Sequence, residues 1–592
     1  MCGIVGYIGD KNGAEIVVDG LKRLEYRGYD SWGLAAMKEN RLISHKQVGK
    51  IGGFNLEKEL PSFSGKICIG HTRWATHGGV TKPNSHPHFS CDGKIAVVHN
   101  GIVENYQDLK RDMEKKGHKF RSQTDTKVIA HLVEQQLKSK NFKEAVRSAL
   151  MKIEGSFAVA IINESENKMI GARRGSPLVL GIGKGEFILG SDVPAFLKHT
   201  NEVVFLDENQ MVEIDGQKKS YKIFDIKSGK SIKSKVTKIA WSLSEAEKGG
   251  HPHFMIKEML EQPEVINKTI GTDKTDLEKA AKMIKQAKRI YVVACGTALH
   301  AGMYGSYLFS ENNNLMLHPI SAGEFPYFGQ LVKKGDLVIT VSQSGETADV
   351  LEAVRSAQKS GAKVLALVNV LGSSLMRLAD FSLLTKAGPE ICVLSTKAYT
   401  SQMAMFVMLS GALSGNISKA KADLKKSSGD IKTILGKKTM AKIKALSVKL
   451  AKANNIYALG RGINYPNALE SCLKIKEVSY IHAEGFAGGD LKHGPIALIE
   501  KDVPVMIFAT NDKTEAEIIS NAMEVKARGA KVIGISYRNN PVYDEYFEVK
   551  ANELITPIAS IVYPQLMAYY IALNKKLDPD KPRNLAKSVT VK

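Results

Sequence analysis

A cysteine stands at position 2, between Met1 and a short apolar run, in the opening sequence MCGIVGYIG. If Met1 is removed, the thiol and the free α-amine belong to one residue. An α-amine has a pKa of about 7.7 to 8.0, so near neutral pH it can take the thiol proton and later return it to a leaving group. Cys2 is therefore a candidate nucleophile that carries its own base. The alternative is a small buried side chain in the first strand.

Motifs further along the chain supply groups that complement such a nucleophile. HTRWATHGG contains Arg73, whose forked guanidinium suits a substrate carboxylate. HNGIVEN contains Asn100 and Gly101, a side-chain and a backbone N–H donor suited to an oxyanion hole. SQTDT places Asp125 where its carboxylate can hold a substrate ammonium. These groups favour the catalytic interpretation of Cys2 over the structural one.

A second set of residues has the pattern of a phosphate site. In VITVSQSGETADVLEA an apolar strand runs into a hydroxyl-rich loop, after which an amphipathic helix begins. Hydroxyls and free N–H groups at a helix N-terminus bind anions, and the lack of a Walker lysine indicates a small phosphate. Thr297 of the preceding CGT motif comes from a neighbouring strand end. The candidate ligands in the loop are Ser342, Gln343, Ser344 and Thr347. The alternative is a plain Ser/Gly turn with a helix cap.

A third set carries acid–base groups. Glu470, Lys474 and Glu477 are spaced i, i+4, i+7 on a predicted helix and share a face, and a glycine-rich loop with His493 follows. A carboxylate, a lysine and a histidine together can move a proton between adjacent sugar carbons and open a ring. The alternative is an exposed stripe of ion pairs, which is the commoner arrangement.

The elements that must position these residues change character along the chain. Up to about residue 238, short β-type runs separated by glycine and Asx turns predict an α+β domain dominated by antiparallel sheet. Later, apolar strands alternate with long amphipathic helices, as expected of parallel α/β domains. We predict an α+β domain at 1–238, a linker and helical lead-in at 239–280, and α/β domains at 281–425 and 445–592.

The second part repeats itself. RIYVVACGT matches NIYALGRGI, and SGAKVLALVN matches RGAKVIGISY, which indicates two copies of one doubly wound unit. SQSGET of the first copy corresponds to ATNDKT of the second, so only the first copy has kept the hydroxyl-rich loop.

Composition excludes several function classes. The chain has 592 residues and a net charge of +22, but its lysines are dispersed, and the densest basic stretch, 419–452, fits a solvated helical linker better than a nucleic-acid site. The best candidate for a membrane span, the short run MAMFVML near 403, is far short of the required length. Six single cysteines and the lack of a signal peptide predict a cytoplasmic protein. We expect no membrane partner and no nucleic-acid partner.

We also predict no metal and no cofactor. His71, His77, His86 and His88 are close in sequence, but they lie in a Gly/Pro-rich region without regular ligand spacing. Arg73 beside them disfavours a cation.

The motifs MCGIVGYIG, LEYRGYDSWG, HTRWATHG, HNGIVEN and SQTDT together resemble the class II, N-terminal-nucleophile (Ntn) glutamine amidotransferases, in the family's order. The resemblance implies an αββα sandwich in which Cys2 attacks the side-chain amide of glutamine. It implies that Asn100 and Gly101 stabilise the oxyanion and that Arg73 and Asp125 hold the amino-acid head group. It assigns three further residues to glutamine binding: Trp74 in a mobile lid, Thr76 and His77.

The later segments, with GPEICVLSTKAYT and the terminal PRNLAKSVTV, resemble paired sugar-isomerase (SIS) domains. The order amidotransferase–SIS–SIS resembles the isomerising aminotransferases of fructose 6-phosphate, which implies D-glucosamine 6-phosphate and L-glutamate as products. The resemblance implies that Lys587 forms a Schiff base with the open ketose, Glu477 shuttles the proton between C1 and C2, and Lys474 supports it. His493 would assist ring opening from the partner subunit of a homodimer. Residues implied to hold the sugar phosphate are Thr297, Ser342, Gln343, Ser344, Thr347, Val393, Ser395 and Ala586.

The resemblance further implies an ammonia channel gated by Trp74, with Arg27 near its mouth. Two positions depart from the family pattern: Ala298 stands where some members have Ser, and Asp490 where Glu is more usual. Other interpretations remain open, namely an amidotransferase acting on another ketose phosphate or a sugar-phosphate-binding regulator with an inactive glutaminase. An amidophosphoribosyltransferase and an asparagine synthetase are disfavoured, since their phosphate-binding loops are not found.

Overall fold

The computed structural model describes residues 2–239, 245, 247–550 and 553–590. The chain divides into two compact units, one of residues 1–246 with 586–592 and one of residues 247–585. The predicted removal of Met1 and the start of the predicted linker, at 240–244 and 246, lie outside the described residues.

The first unit is built from antiparallel strands and short helices. Its strands are β1 Gly3–Ile8, β2 Ser31–Lys38, β3 Arg41–Val48, β4 Ile67–Arg73, β5 His88–Phe89, β6 Ile95–Val103, β7 Gly155–Asn163, β8 Lys168–Arg174, β9 Val179–Ile182, β10 Phe187–Gly190, β11 Glu202–Phe205, β12 Gln210–Asp215, β13 Ser220–Asp225, β14 Ser231–Ile232 and β15 Thr237–Lys238. Its helices are α1 Gly13–Arg23, α2 Leu56–Glu59, α3 Tyr106–Lys115, α4 Lys127–Leu137 and α5 Phe142–Leu150.

The strands form two sheets that pack face to face. Their orders are β15-β11-β9-β10-β1-β4-β2-β3 and β14-β13-β12-β8-β7-β6-β5. Apolar side chains from both sheets, such as Ile4 and Ile69 from one and Ala96 and Val98 from the other, share one core. Helix α1 packs on β1 and β4, and α4 and α5 cover the outer face of the second sheet. The layers are therefore helix, sheet, sheet and helix, as predicted.

Strand periodicity brings the predicted glutaminase residues to one end of this sandwich. Because side chains alternate along a strand, Asn100 lies on the same face of β6 as the buried Ala96 and Val98. Cys2 immediately precedes β1, whose Gly3 pairs with Thr72 near the end of β4. The nucleophile, the end of β4 and the predicted oxyanion donor are thus neighbours.

The second unit alternates strands and helices. Its strands are β16 Ile290–Ala294, β17 Leu317–Ser321, β18 Leu337–Ser342, β19 Lys363–Val368, β20 Phe381–Leu384, β21 Asn455–Gly460, β22 His482–Ala487, β23 Pro504–Ala509, β24 Lys531–Ser536 and β25 Glu545–Glu548. Its helices are α6 Phe254–Leu260, α7 Gln262–Ile270, α8 Lys274–Gln286, α9 Thr297–Asn313, α10 Phe325–Phe328, α11 Ala348–Lys359, α12 Ser374–Leu378, α13 Lys397–Leu413, α14 Ile417–Ile434, α15 Lys437–Leu450, α16 Tyr465–Ser479, α17 Glu515–Lys526, α18 Thr556–Ser560 and α19 Val562–Asn574.

The predicted internal repeat is confirmed as two parallel five-stranded sheets with equivalent topology. Their orders are β17-β16-β18-β19-β20 and β22-β21-β23-β24-β25, which is 2-1-3-4-5 in both copies. In each copy, the second strand is added on one side of the first strand, and the third, fourth and fifth strands are added on the other side. The strand order therefore reverses between the first and third strands. Ligands of such folds bind outside the carboxyl ends of the strands at that reversal. Thr297 follows β16 and Ser342 ends β18, so both lie at the reversal of the first copy.

The most apolar helices of the second unit are core helices. By length and hydropathy, Glu553–Asn574 could cross a membrane, but 89% of its most apolar window is buried in the protein. Helix α13, which contains MAMFVML, is buried along its whole length. The basic stretch near 419–452 forms α14 and α15, which bury an apolar stripe that includes Ile431 and Ile434.

Candidate active site

All eight residues predicted for the glutaminase site line one pocket of the first unit: Cys2, Arg73, Trp74, Thr76, His77, Asn100, Gly101 and Asp125. The half-buried Cys2 Sγ accepts a hydrogen bond from the Trp74 N–H at 3.2 Å. Burial raises the pKa of the Cys2 thiol above its ordinary value, and the Trp74 amide and the Arg73 charge only partly offset it. The thiol is therefore protonated near neutral pH, and its reaction requires a base.

The Asn100 side chain is oriented by a buried histidine. His71 Nε2 lies 3.0 Å from both the His99 carbonyl oxygen and Asn100 Oδ1. Both partners are acceptors, so Nε2 carries the proton and His71 donates. Asn100 Oδ1 therefore faces His71, and Nδ2 faces Cys2, donating to the Cys2 carbonyl at 2.9 Å. Arg27 Nε donates to the same carbonyl at 3.4 Å. The amide presents donors, not an acceptor, to the nucleophile.

Glycine is required at position 101. Gly101 has φ +130°, and an added Cβ would lie 2.1 Å from the Ser156 carbonyl oxygen on the neighbouring strand. A side chain would therefore displace β6 from β7 next to the candidate oxyanion donors.

Arg73 and Asp125 are buried in the pocket wall, and each side chain makes some of its hydrogen bonds with backbone groups. Arg73 Nη1 donates to the Gly79 carbonyl at 3.1 Å, and Nη2 donates to the Gly78 carbonyl at 3.0 Å. Asp125 Oδ2 accepts from the Val103 N–H at 2.8 Å. The two side chains present opposite charges in one pocket, which is the arrangement that an amino-acid zwitterion needs.

Four histidines form a hydrogen-bonded layer beneath this pocket. His86 stacks on His71 with ring centroids 4.0 Å apart, His99 Nδ1 lies 2.9 Å from Thr126 Oγ1, and His88 Nε2 lies 2.9 Å from Thr124 Oγ1. Burial lowers the pKa of His71 to about 3 and lowers the pKa values of the other three histidines. These rings are neutral in the folded protein and act as hydrogen-bonding groups.

In the second unit, the predicted phosphate loop is shaped by its glycine. Gly345 has φ +66°, and a Cβ there would lie 2.2 Å from Ser373 Oγ. Its N–H donates to Ser342 Oγ at 2.9 Å. Ser344 Oγ accepts from the Glu346 N–H at 3.1 Å, and α11 begins directly after Thr347. The loop thus turns its hydroxyls and the helix N-terminus toward the same strand end.

The second copy of the repeat fills the equivalent position with a carboxylate. Asp512 accepts hydrogen bonds from the Thr510 hydroxyl at 2.7 Å and from the Thr514 N–H at 2.7 Å, just before α17. This negative charge occupies the helix N-terminus where an anion would otherwise bind. Within the described residues, the hydroxyl-rich loop without a carboxylate at the helix N-terminus is therefore found in the first copy, and its role as an anion site stays a prediction.

The acid–base residues Glu470, Lys474 and Glu477 on α16 are largely buried and do not form an exposed stripe of ion pairs. The Glu470 and Lys474 side chains are 0% and 1% exposed, and Glu477 is 21% exposed. Lys474 Nζ lies 3.3 Å from Glu470 Oε1 and 2.7 Å from Glu477 Oε2. Burial opposes the charge of Lys474, but the two carboxylates outweigh it and raise the Lys474 pKa. Lys474 is thus a fixed cation, and Glu477 is the carboxylate of the set that reaches the surface.

Residues of the first SIS copy complete this set. Lys474 Nζ donates to Thr297 Oγ1 at 3.0 Å, and Thr297 Oγ1 donates to Glu470 Oε1 at 3.0 Å. His300 Nδ1 lies 2.7 Å from Glu470 Oε2. A predicted phosphate-site residue and the predicted acid–base helix are therefore in direct contact, although they are far apart in sequence.

The remaining sugar-site candidates are distributed as follows. Ser395 Oγ donates to the buried Glu390 at 2.8 Å, and the buried Val393 donates its N–H to the Asp580 carbonyl at 3.2 Å. His493 is exposed on a short helical turn, Gly488–His493. Ala586 and Lys587 are half-buried and belong to the tail 586–592, which is part of the first compact unit.

Sequence reasoning missed several residues that the structure brings to these sites. His71, His86 and His99 were considered only as metal ligands or as part of a motif, and Thr590 of the terminal SVTV lines the glutaminase pocket. His300 could have been predicted from the sequence, because it lies one turn after Thr297 and residues i and i+3 share a helix face. Glu390 had no sequence pattern to identify it, although it accepts hydrogen bonds from the Ser395 hydroxyl and from the Thr396 and Ala398 amides.

Comparison with protein families divides the chain into an N-terminal and a C-terminal part, as the sequence and the fold do. A glutamine amidotransferase domain model matches residues 71–198, and a SIS domain model matches residues 283–411 and 449–575.

Full-length relatives match over the whole chain. A protein of Thermococcus kodakarensis named glutamine--fructose-6-phosphate aminotransferase [isomerizing] is 46% identical over 603 residues, covering 100% of both chains. Proteins of Pyrococcus horikoshii and Clostridium tetani with the same name are 43% and 44% identical with the same coverage. Among solved structures, the C-terminal domain of glucosamine-fructose-6-phosphate aminotransferase from Francisella tularensis is 34% identical. It has a TM-score of 0.53 and covers 56% of this chain and 99% of that one.

Proposed function

The chain belongs to the family of glutamine–fructose-6-phosphate aminotransferases (isomerizing), and on this premise we propose how its own residues carry the reaction. The protein transfers the amide nitrogen of L-glutamine to D-fructose 6-phosphate and isomerises the product to D-glucosamine 6-phosphate, releasing L-glutamate. The observation that best supports the proposal is the pocket lined by Cys2, by the Asn100 amide and by the opposite charges of Arg73 and Asp125. The same chain also contains the buried acid–base set on α16.

The first half-reaction takes place at Cys2. The thiol gives its proton to the α-amine of the same residue and attacks the side-chain amide carbon of glutamine. Negative charge develops on the amide oxygen and is stabilised by Asn100 Nδ2 and the Gly101 N–H. The protonated amine returns its proton to the leaving nitrogen, ammonia departs, and water hydrolyses the thioester to glutamate. Arg73 and Asp125 bind the carboxylate and ammonium of the amino acid. Trp74, Thr76 and His77 line the entry.

The second half-reaction uses the second unit and the C-terminal tail. The hydroxyl-rich loop (Ser342, Gln343, Ser344 and Thr347) binds the 6-phosphate, and the Lys587 amine forms a Schiff base at C2 of the open ketose. Ammonia replaces the lysine, and Glu477 then moves a proton from C1 to C2. The permanent charge of Lys474 supports Glu477 as a carboxylate, which is the form that accepts a proton.

The assembly and compartment of the enzyme are further parts of the proposal. A homodimer would supply His493 of one subunit to the sugar site of the other. The exposure of His493 supports this role, since it leaves the ring available to a partner. A cytoplasmic location fits six free cysteines, none in a disulfide within the described residues.

Product analysis tests the proposal. Fructose 6-phosphate and amide-¹⁵N glutamine are supplied to wild type, Cys2→Ala, Lys587→Ala and the control Lys581→Ala. We expect labelled glucosamine 6-phosphate from wild type and Lys581→Ala only. Cys2→Ala retains synthesis from added ammonia, and Lys587→Ala loses it.

Two results would oppose this assignment. Glutamine hydrolysis without amination of fructose 6-phosphate would redirect the acceptor to another ketose phosphate. Sugar-phosphate binding with neither hydrolysis nor amination would favour a binding-only regulator.

A further inference from the structure

A cluster of potential metal ligands lies outside both proposed sites, in the first unit. Cys91, His118, His131 and Glu134 each offer one ligand atom, and these four atoms all lie within 4.8 Å of one another. They come from three separate segments: the turn between β5 and β6, the connection between α3 and α4, and α4 itself. His131 and Glu134, three residues apart, share one face of α4. We propose that this cluster is a binding site for one zinc-type divalent metal ion.

Four of the distances between ligand atoms lie within about 0.4 Å of those in tetrahedral zinc coordination. Cys91 Sγ lies 3.7 Å from Nδ1 of each histidine, and Glu134 Oε2 lies 2.9 Å from His118 Nδ1 and 3.2 Å from His131 Nδ1. Zinc bonds of about 2.3 Å to sulfur and about 2.0–2.2 Å to nitrogen and oxygen place tetrahedral donors about 3.3–3.6 Å apart. One thiolate, two imidazoles and one carboxylate is also a donor set that such an ion prefers over Mg²⁺ or Ca²⁺.

The contacts within the cluster are ones that a cation can take over from protons. His118 Nδ1 and His131 Nδ1 lie 2.9 Å and 3.2 Å from Glu134 Oε2, which are hydrogen-bond distances. A bound metal ion would replace the shared protons, because histidine and cysteine bind a metal in their deprotonated forms. The Lys119 N–H, 3.4 Å from Cys91 Sγ, supports a thiolate there.

The site is accessible to an ion and is placed to stabilise the glutaminase unit. His118 and His131 are buried, whereas Cys91 is exposed, so an ion can enter from solvent. The bound ion would connect the turn that leads into β6, the strand of Asn100, with α4, which begins two residues after Asp125. Its role is to hold these segments together and involves no step of the reaction.

Metal analysis of the full-length protein tests this inference. Wild type expressed with added Zn²⁺ and then dialysed is expected to hold one zinc per chain by elemental analysis. Replacement with Co²⁺ is expected to give tetrahedral ligand-field bands and a sulfur-to-cobalt charge-transfer band. Cys91→Ser, at an exposed position, removes the charge-transfer band, and Cys91→Ser and Glu134→Gln each weaken Zn²⁺ binding at least about a hundredfold. The control His199→Ala replaces a half-buried histidine outside the cluster, and it is expected to retain both the charge-transfer band and the wild-type affinity for Zn²⁺.

Thermal unfolding gives a readout independent of the variants. We expect Zn²⁺ to raise the Tm of metal-stripped wild type and a strong chelator to reverse that rise, because the ion binds the folded state. Wild type that neither retains zinc nor binds Co²⁺ would overturn the proposal. A charge-transfer band that persists in Cys91→Ser would also overturn it, by placing the thiolate ligand elsewhere.

Discussion

His71 Nε2 lies 3.0 Å from Asn100 Oδ1, and this contact fixes which end of the Asn100 amide faces Cys2. His71 is fully buried, and its other acceptor is a backbone carbonyl that cannot move without distorting β6. The orientation of the proposed oxyanion donor is therefore set by a residue that does not contact the substrate itself.

His71→Ala is expected to lower the kcat of glutamine hydrolysis about 10- to 100-fold with a smaller change in KM. Full loss of an oxyanion donor costs about 10²–10³ in kcat, and misorientation costs less. Ammonia-dependent synthesis should be retained, since it does not use this site. His71→Gln, which can still donate toward Asn100, should recover part of the rate.

Double substitution separates positioning from general destabilisation. If His71 acts through Asn100, His71→Ala combined with Asn100→Ala hydrolyses glutamine no more slowly than Asn100→Ala alone. Additive losses would assign His71 a separate role.

The histidine layer predicts loss of stability in acid. The pKa of His71 is about 3 in the folded protein against 6.5 ordinarily, because of burial, and His86 and His88 shift in the same direction. The unfolded chain binds these protons first, so stability is present above pH 6.5 and falls as the pH drops toward 3. His71 contributes a slope of about 1.4 kcal/mol per pH unit in that window, and His86 and His88 act in the same direction. Denaturant titrations across the window measure it, and His88→Gln should reduce the slope. A pH-independent unfolding free energy would contradict the burial of neutral rings.

Gly345→Ala is expected to raise the KM for fructose 6-phosphate at least about tenfold. A methyl group at φ +66°, 2.2 Å from Ser373 Oγ, forces the phosphate loop out of its conformation. Glutaminase activity should be unchanged. Gly429→Ala on α14, where a Cβ meets nothing within 4 Å, is the control and should leave both activities intact. An unchanged KM in Gly345→Ala would remove this loop from the phosphate site.

Lys474→Met is expected to destabilise the second unit by about 3–5 kcal/mol, because it leaves the buried Glu470 carboxylate without its cation. Calorimetry of the second unit's transition measures the loss. Lys492→Met is the control, since its ion pair with Glu524 is exposed and its loss should cost less than about 1 kcal/mol. Equal effects of the two substitutions would mean that the α16 cluster is solvated.

Intact mass spectrometry of the purified protein is expected to show a chain lacking Met1. The Cys2 thiol is protonated near neutral pH, and a free amine on the same residue is its proposed base. An active protein that retains Met1 would disprove that the α-amine is the base.

The amino-acid sequence alone predicted the fold class, the internal repeat and the residues that line the glutaminase pocket. The apolar run IAVVHNG predicted β6, the motif HNGIVEN indicated Asn100, and the strand–loop–helix pattern indicated the loop at Ser342. Five of the eight pocket residues came from the chemistry of short motifs, and Trp74, Thr76 and His77 came from the family resemblance. These features depend on residue type and short spacing, which a sequence shows directly.

Features that depend on contacts between distant segments became visible only in the folded protein. The spacing of Glu470, Lys474 and Glu477 fits an exposed stripe as well as an active site, and burial against Thr297 from the other repeat distinguishes the two. His71 acquires its role from a contact with another strand. Cys91, His118 and His131 have no ligand spacing in sequence and converge only because a turn, a loop and α4 pack together. Such convergence arises from long-range packing, which local residue patterns do not encode.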